Sequence, residues 1–255
     1  MKRSIFVILG LVFGLAGSSW AQAKPEAPPV EPEALAALNR MGTYLRSLKA
    51  FQVRAATTTE EVLDDGQKVL YAGVTDVLAR MPDRLRADVR SDRQDRMYLY
   101  DGKTFTLFAQ RVGYYATVPA PPTIGGLANT LAEKYDIEVP LVDLFRWGGP
   151  ESSIAELTVG MDVEPSAVEG TTCEHYVFRQ PGLDWQIWIQ QGDYPLPRKL
   201  VLTTLTDEAR PQHTSVYTWN LAPSFNDAAF TFDPPSDAQK IVLAEAGATS
   251  GAAKK

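Results

Sequence analysis

Cys173 and His175 stand two residues apart in a run rich in extended-chain formers, so their side chains share a face if that run is a strand. His213 is the only other histidine. Cys, His and His can hold zinc or copper, with an open position if the site is catalytic. No spacing brings His213 to the pair, and neither H-E-x-x-H nor C-x-x-C accompanies it, so the pattern reads as an ordinary strand. A Cys–His nucleophile needs a third orienting group and an oxyanion loop, and neither can be identified. Gly125-Gly126 is followed by no Lys-Ser/Thr, so a phosphate cradle is not indicated. The expectation is a protein without catalytic residues, metal or cofactor. Cys173, as the sole cysteine, has no internal disulfide partner and is read as a small buried apolar residue.

Arg80 to Arg96 packs six arginines and four aspartates into seventeen residues with the signs interleaved. Such charges pair across a solvated strand face, where each pair contributes at most about 1 kcal/mol. The alternative is a docking surface for an acidic partner or a phosphate-bearing headgroup, which arginine binds bidentately.

Aromatic and aliphatic residues are the stronger lead. Trp185, Ile187 and Ile189 alternate with Gln186, Trp188 and Gln190, while Tyr98, Tyr100, Phe105, Phe108, Tyr114 and Tyr115 crowd the middle of the chain. Both faces of those strands carry apolar groups. They read either as core or as the lining of a cavity for an acyl chain, because ligand pockets are mostly apolar with a few polar groups.

The elements that position these residues follow from periodicity. Leu35, Leu38, Met41, Leu45 and Leu48 sit three or four apart, which predicts an amphipathic helix over 33–49, with Pro32 suited to its first turn. Beyond Phe51 the period becomes 2. Asp64-Asp65-Gly66 marks the turn between two long strands, Leu85, Ala87 and Val89 alternate with charged residues, and Asp101-Gly102-Lys103 is a hairpin turn. Ile124, Leu127, Leu131 and Tyr135 return to helical spacing and lead through an apolar stretch to Trp147-Gly148-Gly149-Pro150. Short runs rich in Val, Ile, Thr and aromatics bring the total to about ten or eleven strands. Helix, strands, helical insert and strands is an α+β order.

At the N-terminus, Lys2 and Arg3 precede an apolar run from Ile5 to Leu15, and Ala21-Gln22-Ala23 supplies an A-x-A cleavage pattern. The run is shorter than the roughly 20 residues of a membrane helix. It predicts a signal peptide over 1–23, a periplasmic mature chain beginning at Lys24, and no transmembrane segment in that chain. Cleavage removes two basic residues and no acidic one, so the formal net charge falls from −6 to −8. That sign argues against nucleic acid as a partner and against simple docking to anionic lipid. Residues 24–32 read as a Pro-rich tether, 33–243 as a single domain, and 244–255 as a disordered tail.

Met81-Pro82-Asp83-Arg84-Leu85-Arg86, Tyr98-Leu99-Tyr100-Asp101-Gly102-Lys103-Thr104, Pro119 to Ile124, Pro140-Leu141-Val142-Asp143-Leu144 and the closing Phe230-Thr231-Phe232-Asp233-Pro234-Pro235 occur in an order that resembles a family of predicted periplasmic proteins of unknown function. That family is related in fold to the lipoprotein carriers LolA and LolB and to the stress-sensor regulator RseB. The resemblance spans most of 33–241. It implies a strongly curved antiparallel sheet, an unclosed barrel, whose concave face is plugged by the N-terminal helix and the mid-chain insert with an apolar cavity between. The residues expected to line that cavity are Met97, Leu99, Phe105, Leu107, Tyr115, Leu127, Leu131, Trp147, Trp185 and Ile187. The resemblance transfers no ligand; the apolar lining read on that fold points to a periplasmic binding or carrier module for an apolar ligand such as a lipid or the acyl part of a lipoprotein. The alternatives are an envelope interaction or sensor protein whose groove binds a protein partner and, third, an enzyme using Cys173, His175 and His213.

Overall fold

The computed structural model describes residues 30–149 and 153–246. The expected signal segment and most of the expected tail lie outside them. Helix α1 (Pro32–Ser47) comes first, followed by strands β1 (Ala50–Val62), β2 (Lys68–Arg80), β3 (Arg84–Ser91), β4 (Asp95–Tyr100), β5 (Thr104–Ala109) and β6 (Tyr114–Pro119). Helices α2 (Ile124–Tyr135) and α3 (Asp143–Arg146) then intervene. A second run holds β7 (Val159–Val168), β8 (Thr171–Gln180), β9 (Leu183–Gln190), β10 (Pro197–Thr204) and β11 (Gln212–Asn220), and the short β12 (Gln239–Lys240) closes the order.

Among the described residues these twelve strands form one sheet, in the order β12-β6-β5-β4-β3-β2-β1-β11-β10-β9-β8-β7. It consists of two antiparallel meanders joined where β1 pairs with β11, Ala55 standing opposite Tyr217. Only β12 adds in parallel, against β6. The two end strands do not pair with each other, so the sheet is unclosed. Residues 30 and 31 cover part of the β7 edge: Glu31 N donates to Gly160 O at 2.9 Å, and the Glu31 carboxylate accepts from Asp162 N.

Turn chemistry sets the hairpins as expected. Gly102 has φ +87°, and Asp101 Oδ1 accepts from the amides of Lys103 and Thr104 at 2.9 and 2.7 Å. The positive φ is what demands glycine here; a Cβ would also displace the ends of the Arg84 and Asp83 side chains.

Alternation along the strands gives the sheet an inner and an outer face. Phe51, Val53 and Ala55 of β1, Val77 and Ala79 of β2, and Ile187 of β9 point inward and are nearly free of solvent. Ala34, Ala37, Leu38, Met41 and Leu45 of α1 join them in one cluster with Leu127 and Leu131 of α2. Leu35, expected on the buried stripe of α1, is only half-buried, and Ala34 and Ala37 take that face instead.

The insert is tied down at its start, where Thr123 caps α2 by accepting from Gly126 N and Ile124 N donates to Pro82 O at 2.9 Å. At its far end Arg46 Nη1 donates to Trp147 O at 2.6 Å, linking α1 to the residue that ends α3.

On the outer face, the apolar side of β4–β6 is covered by the segment after β11. Phe232 packs against Phe108 and Tyr115, with ring centroids 5.3 and 5.0 Å apart, and Phe230 is almost fully buried. On the outer face of β1–β3, Arg86 of the interleaved run meets Asp88 of the same run at 2.7 Å, while Arg90 turns to Asp76 of β2 at 3.2 Å, a carboxylate it shares with Arg54 at 2.9 Å.

Candidate functional site

Beyond the reach of α1 and α2, the inner face lies under the stretch from Glu138 to Leu144, and a cavity of about 510 Å³ remains between them. Its floor is a polar stripe. Along β1 the inward positions run from Val53 and Ala55 to Thr57 and Thr59, and along β11 from Tyr217 to Ser215 and His213. Thr75 and Gly73 of β2 continue the stripe beside Ala55 and Thr57. Val89 and Tyr98 form one wall and Leu200 and Leu202 the other, while Val139, Leu141, Val142 and Leu144 face the floor.

The polar groups of the floor satisfy one another. Thr59 Oγ1 and His213 Nδ1 are 2.7 Å apart, His213 Nε2 and Ser215 Oγ are 3.0 Å apart, and Ser215 also hydrogen-bonds the Tyr217 hydroxyl. A neutral imidazole donates from one nitrogen and accepts at the other, and hydroxyls can answer both. Burial pushes the His213 pKa below its ordinary 6.5, and it pushes the Tyr217 hydroxyl up. Asp143 at the start of α3 is also raised by burial, with Arg146 acting against the shift. Where the cavity meets solvent, the half-exposed Arg93 and Glu61 form an ion pair, and the Arg93 guanidinium lies 5.0 Å from the centre of the Tyr71 ring.

None of the ten residues expected to line a cavity borders this one. Phe105, Leu107, Trp185 and Ile187 are on the inner face but pack in the core cluster or against it, as do Leu127 and Leu131 of α2. Trp147 packs against the edge of that cluster. Met97, Leu99 and Tyr115 are on the outer face, because Met97 and Leu99 pair with Phe108 and Thr106 whereas Phe105 pairs with Tyr100. One chamber cannot hold both sets: in a strand of period 2, neighbours of opposite parity point to opposite sides. Leu99 and Tyr115 border a smaller hollow of about 270 Å³ beside Phe230 and Phe232. The sequence did carry a signal for the real lining. Thr57 and Thr59 continue the parity of Val53 and Ala55, and polar residues at core parity are the informative exception.

The Cys/His set is dispersed. Cys173 and His175 lie on the outer side of β8, and His213 lies inward on β11 with β9 and β10 between, three strand spacings or about 14 Å away. His175 stacks on Trp188 at 4.0 Å and reaches Gln186 Oε1 at 3.1 Å. Cys173 is fully buried, its Sγ donates weakly to Thr171 O, and burial pushes the thiol pKa up, the opposite of an activated nucleophile. Among the described residues no cluster of His, Cys, Asp and Glu is placed to share a metal ion.

A family model described as predicted periplasmic protein (DUF2092) matches residues 34–244. No curated protein matches the chain. Among solved structures the chain is similar to MucB, at 12% identity and a TM-score of 0.42, with 81% of this chain and 65% of that chain covered. It is also similar to LprF from Mycobacterium bovis, at 13% identity and a TM-score of 0.44, covering 83% and 100%. A LolA superfamily protein from Nitrosomonas europaea is similar at 11% identity and a TM-score of 0.38, covering 78% and 97%.

Proposed function

We propose, from the premise that the chain belongs to the DUF2092 family of predicted periplasmic proteins, that it is a periplasmic binding or carrier module for a lipid or the acyl part of a lipoprotein. The observation that carries this reading is the cavity on the helix-bearing face, whose volume of about 510 Å³ falls within the range of small-molecule sites. Core side chains fill the remainder of that face, and this is where a guest has room. Leu200, Leu202, Val89 and Val142 offer apolar surface, and each Å² of it removed from water by an acyl chain contributes about 25 cal/mol.

In this reading the sheet is a curved, unclosed barrel, and the ligand enters its concave side beneath 138–144. Gly148, with φ +69°, lies just beyond α3, and the backbone of Asp136 is left-handed at the end of α2, so this stretch lies between two points of unusual conformation. Rotation there would uncover the cavity without disturbing the sheet. In this reading the floor hydroxyls and His213, which hold one another, serve binding and not catalysis.

The test is native mass spectrometry of protein taken from its own periplasm without detergent, followed by melting with added acyl ligands. A ligand that binds only the folded state stabilises it by about 2.7 kcal/mol at a hundredfold excess over Kd. Retained lipid and a rise in Tm are expected. No copurified lipid and no rise with any acyl ligand would end the proposal.

A further inference from the structure

We infer that the polar part of the ligand is uncharged and hydrogen-bonding, as in an acylglycerol, and that the cavity discriminates against a fatty-acid anion; this rests on reading the cavity as a lipid site. The first ground is the composition of the floor. Thr57 pairs with Ser215 on one side and with Gly73 on the other, and Thr75 is the next inward residue of β2. Thr75 is 7% exposed, and its hydroxyl and that of the half-buried Thr57, unlike those of Thr59 and Ser215, are not taken up by His213. These hydroxyls lie beneath apolar walls, suited to ester oxygens and hydroxyl groups that can both donate and accept. The absence of a side chain at Gly73 matters here, since a Cβ would stand 3.0 Å from Thr57 Oγ1 and crowd that hydroxyl.

The second ground is the charge around the cavity. Arg93 is paired with Glu61, and Arg90 is turned to Asp76 on the outer face. His213 has both ring nitrogens engaged by Thr59 and Ser215. The acidic groups facing the space are Glu138 and Asp143, the latter beside Arg146, together with the paired Glu61. A carboxylate drawn into this cavity would therefore lose its water and, among the described residues that line it, gain no free cation, an arrangement that proteins avoid. An uncharged head loses no such hydration and meets hydroxyls instead.

The experiment compares two ligands with the same chain, laurate and monolauroylglycerol, each displacing a neutral fluorescent probe from delipidated full-length mature protein at neutral pH. Monolauroylglycerol should displace the probe at a concentration at least about tenfold lower than laurate, the margin set by one unpaired charge against a neutral hydrogen-bonded group. Thr57→Val and Thr75→Val should each weaken monolauroylglycerol by about fivefold, the worth of one neutral hydrogen bond, and leave laurate unchanged. Melting of each variant shows that it is folded, and the comparison on the unaltered chain does not depend on them. If laurate binds as well as or better than monolauroylglycerol, the inference is overturned while the lipid reading stands. If neither displaces the probe, both fall.

Discussion

Gly42 of α1 lies so close to the main chain of Trp147 that a Cβ on it would stand 2.8 Å from the Trp147 carbonyl oxygen and 2.9 Å from its carbon. The contact explains a glycine in the middle of a helix, where it costs about 1 kcal/mol relative to alanine. The same carbonyl accepts from Arg46 Nη1, one helical turn further along, so α1 grips the end of the insert at two adjacent points.

Gly42→Ala therefore sets helix propensity against a backbone clash. The methyl meets main-chain atoms that cannot rotate away, and overpacking of this kind costs about 1–3 kcal/mol. Urea unfolding should show a net loss of stability. A more stable variant would mean that the insert rides loosely on α1.

Cys173 should behave as core. Its thiol is fully buried, and burial holds its pKa above the ordinary value. A thiol-reactive dye at neutral pH should label the native protein far more slowly than the protein in urea. Rapid native labelling would revive a reactive role for this residue.

The distribution of legible and illegible features has a physical logic. The stripe of Leu38, Met41 and Leu45 and the Asp101-Gly102-Lys103 turn are local, and each is written within a few residues. The pairing of β1 with β11 joins residues more than 150 positions apart, such as Thr59 and His213, and no local pattern announces it. The cavity is made by that pairing, so no local pattern marks its floor, whereas the aromatic and aliphatic residues of the middle strands stand out in any window of the sequence. Parity was readable nonetheless. Met97 and Phe105 could have been assigned to opposite faces from the hairpin turn between their strands.

Acid should reach the cavity through His213. Its pKa is lowered by burial, so between the folded value and 6.5 the unfolded chain binds more protons than the native one. Stability conferred by the neutral ring is thus complete above about pH 6.5 and is lost as pH falls toward the folded value. His175 is shifted in the same direction, chiefly by burial, so the two must be separated by substitution. The stability difference between wild type and His213→Asn should shrink between about pH 7.5 and about pH 5. A difference that stays constant over that range would remove His213 from the acid response.

The last prediction separates core from lining. Leu131 is fully buried in the cluster beneath α2, whereas Leu202 is half-buried and forms part of the cavity wall. Leu131→Ala should cost about 2–5 kcal/mol through lost transfer energy and the void left behind. It should not alter the contacts made by a ligand, so a saturating neutral lipid should still stabilise the variant as much as wild type. Leu202→Ala removes surface that a ligand would cover, and at equal subsaturating lipid its stabilisation should be smaller, because RT ln(1 + [L]/Kd) falls as Kd rises. The two variants thus differ in opposite respects, one in its unliganded stability and the other in its response to ligand. If Leu131→Ala loses the ligand-induced shift in Tm and Leu202→Ala keeps it, the ligand lies beneath α2 and not in the cavity beneath 138–144.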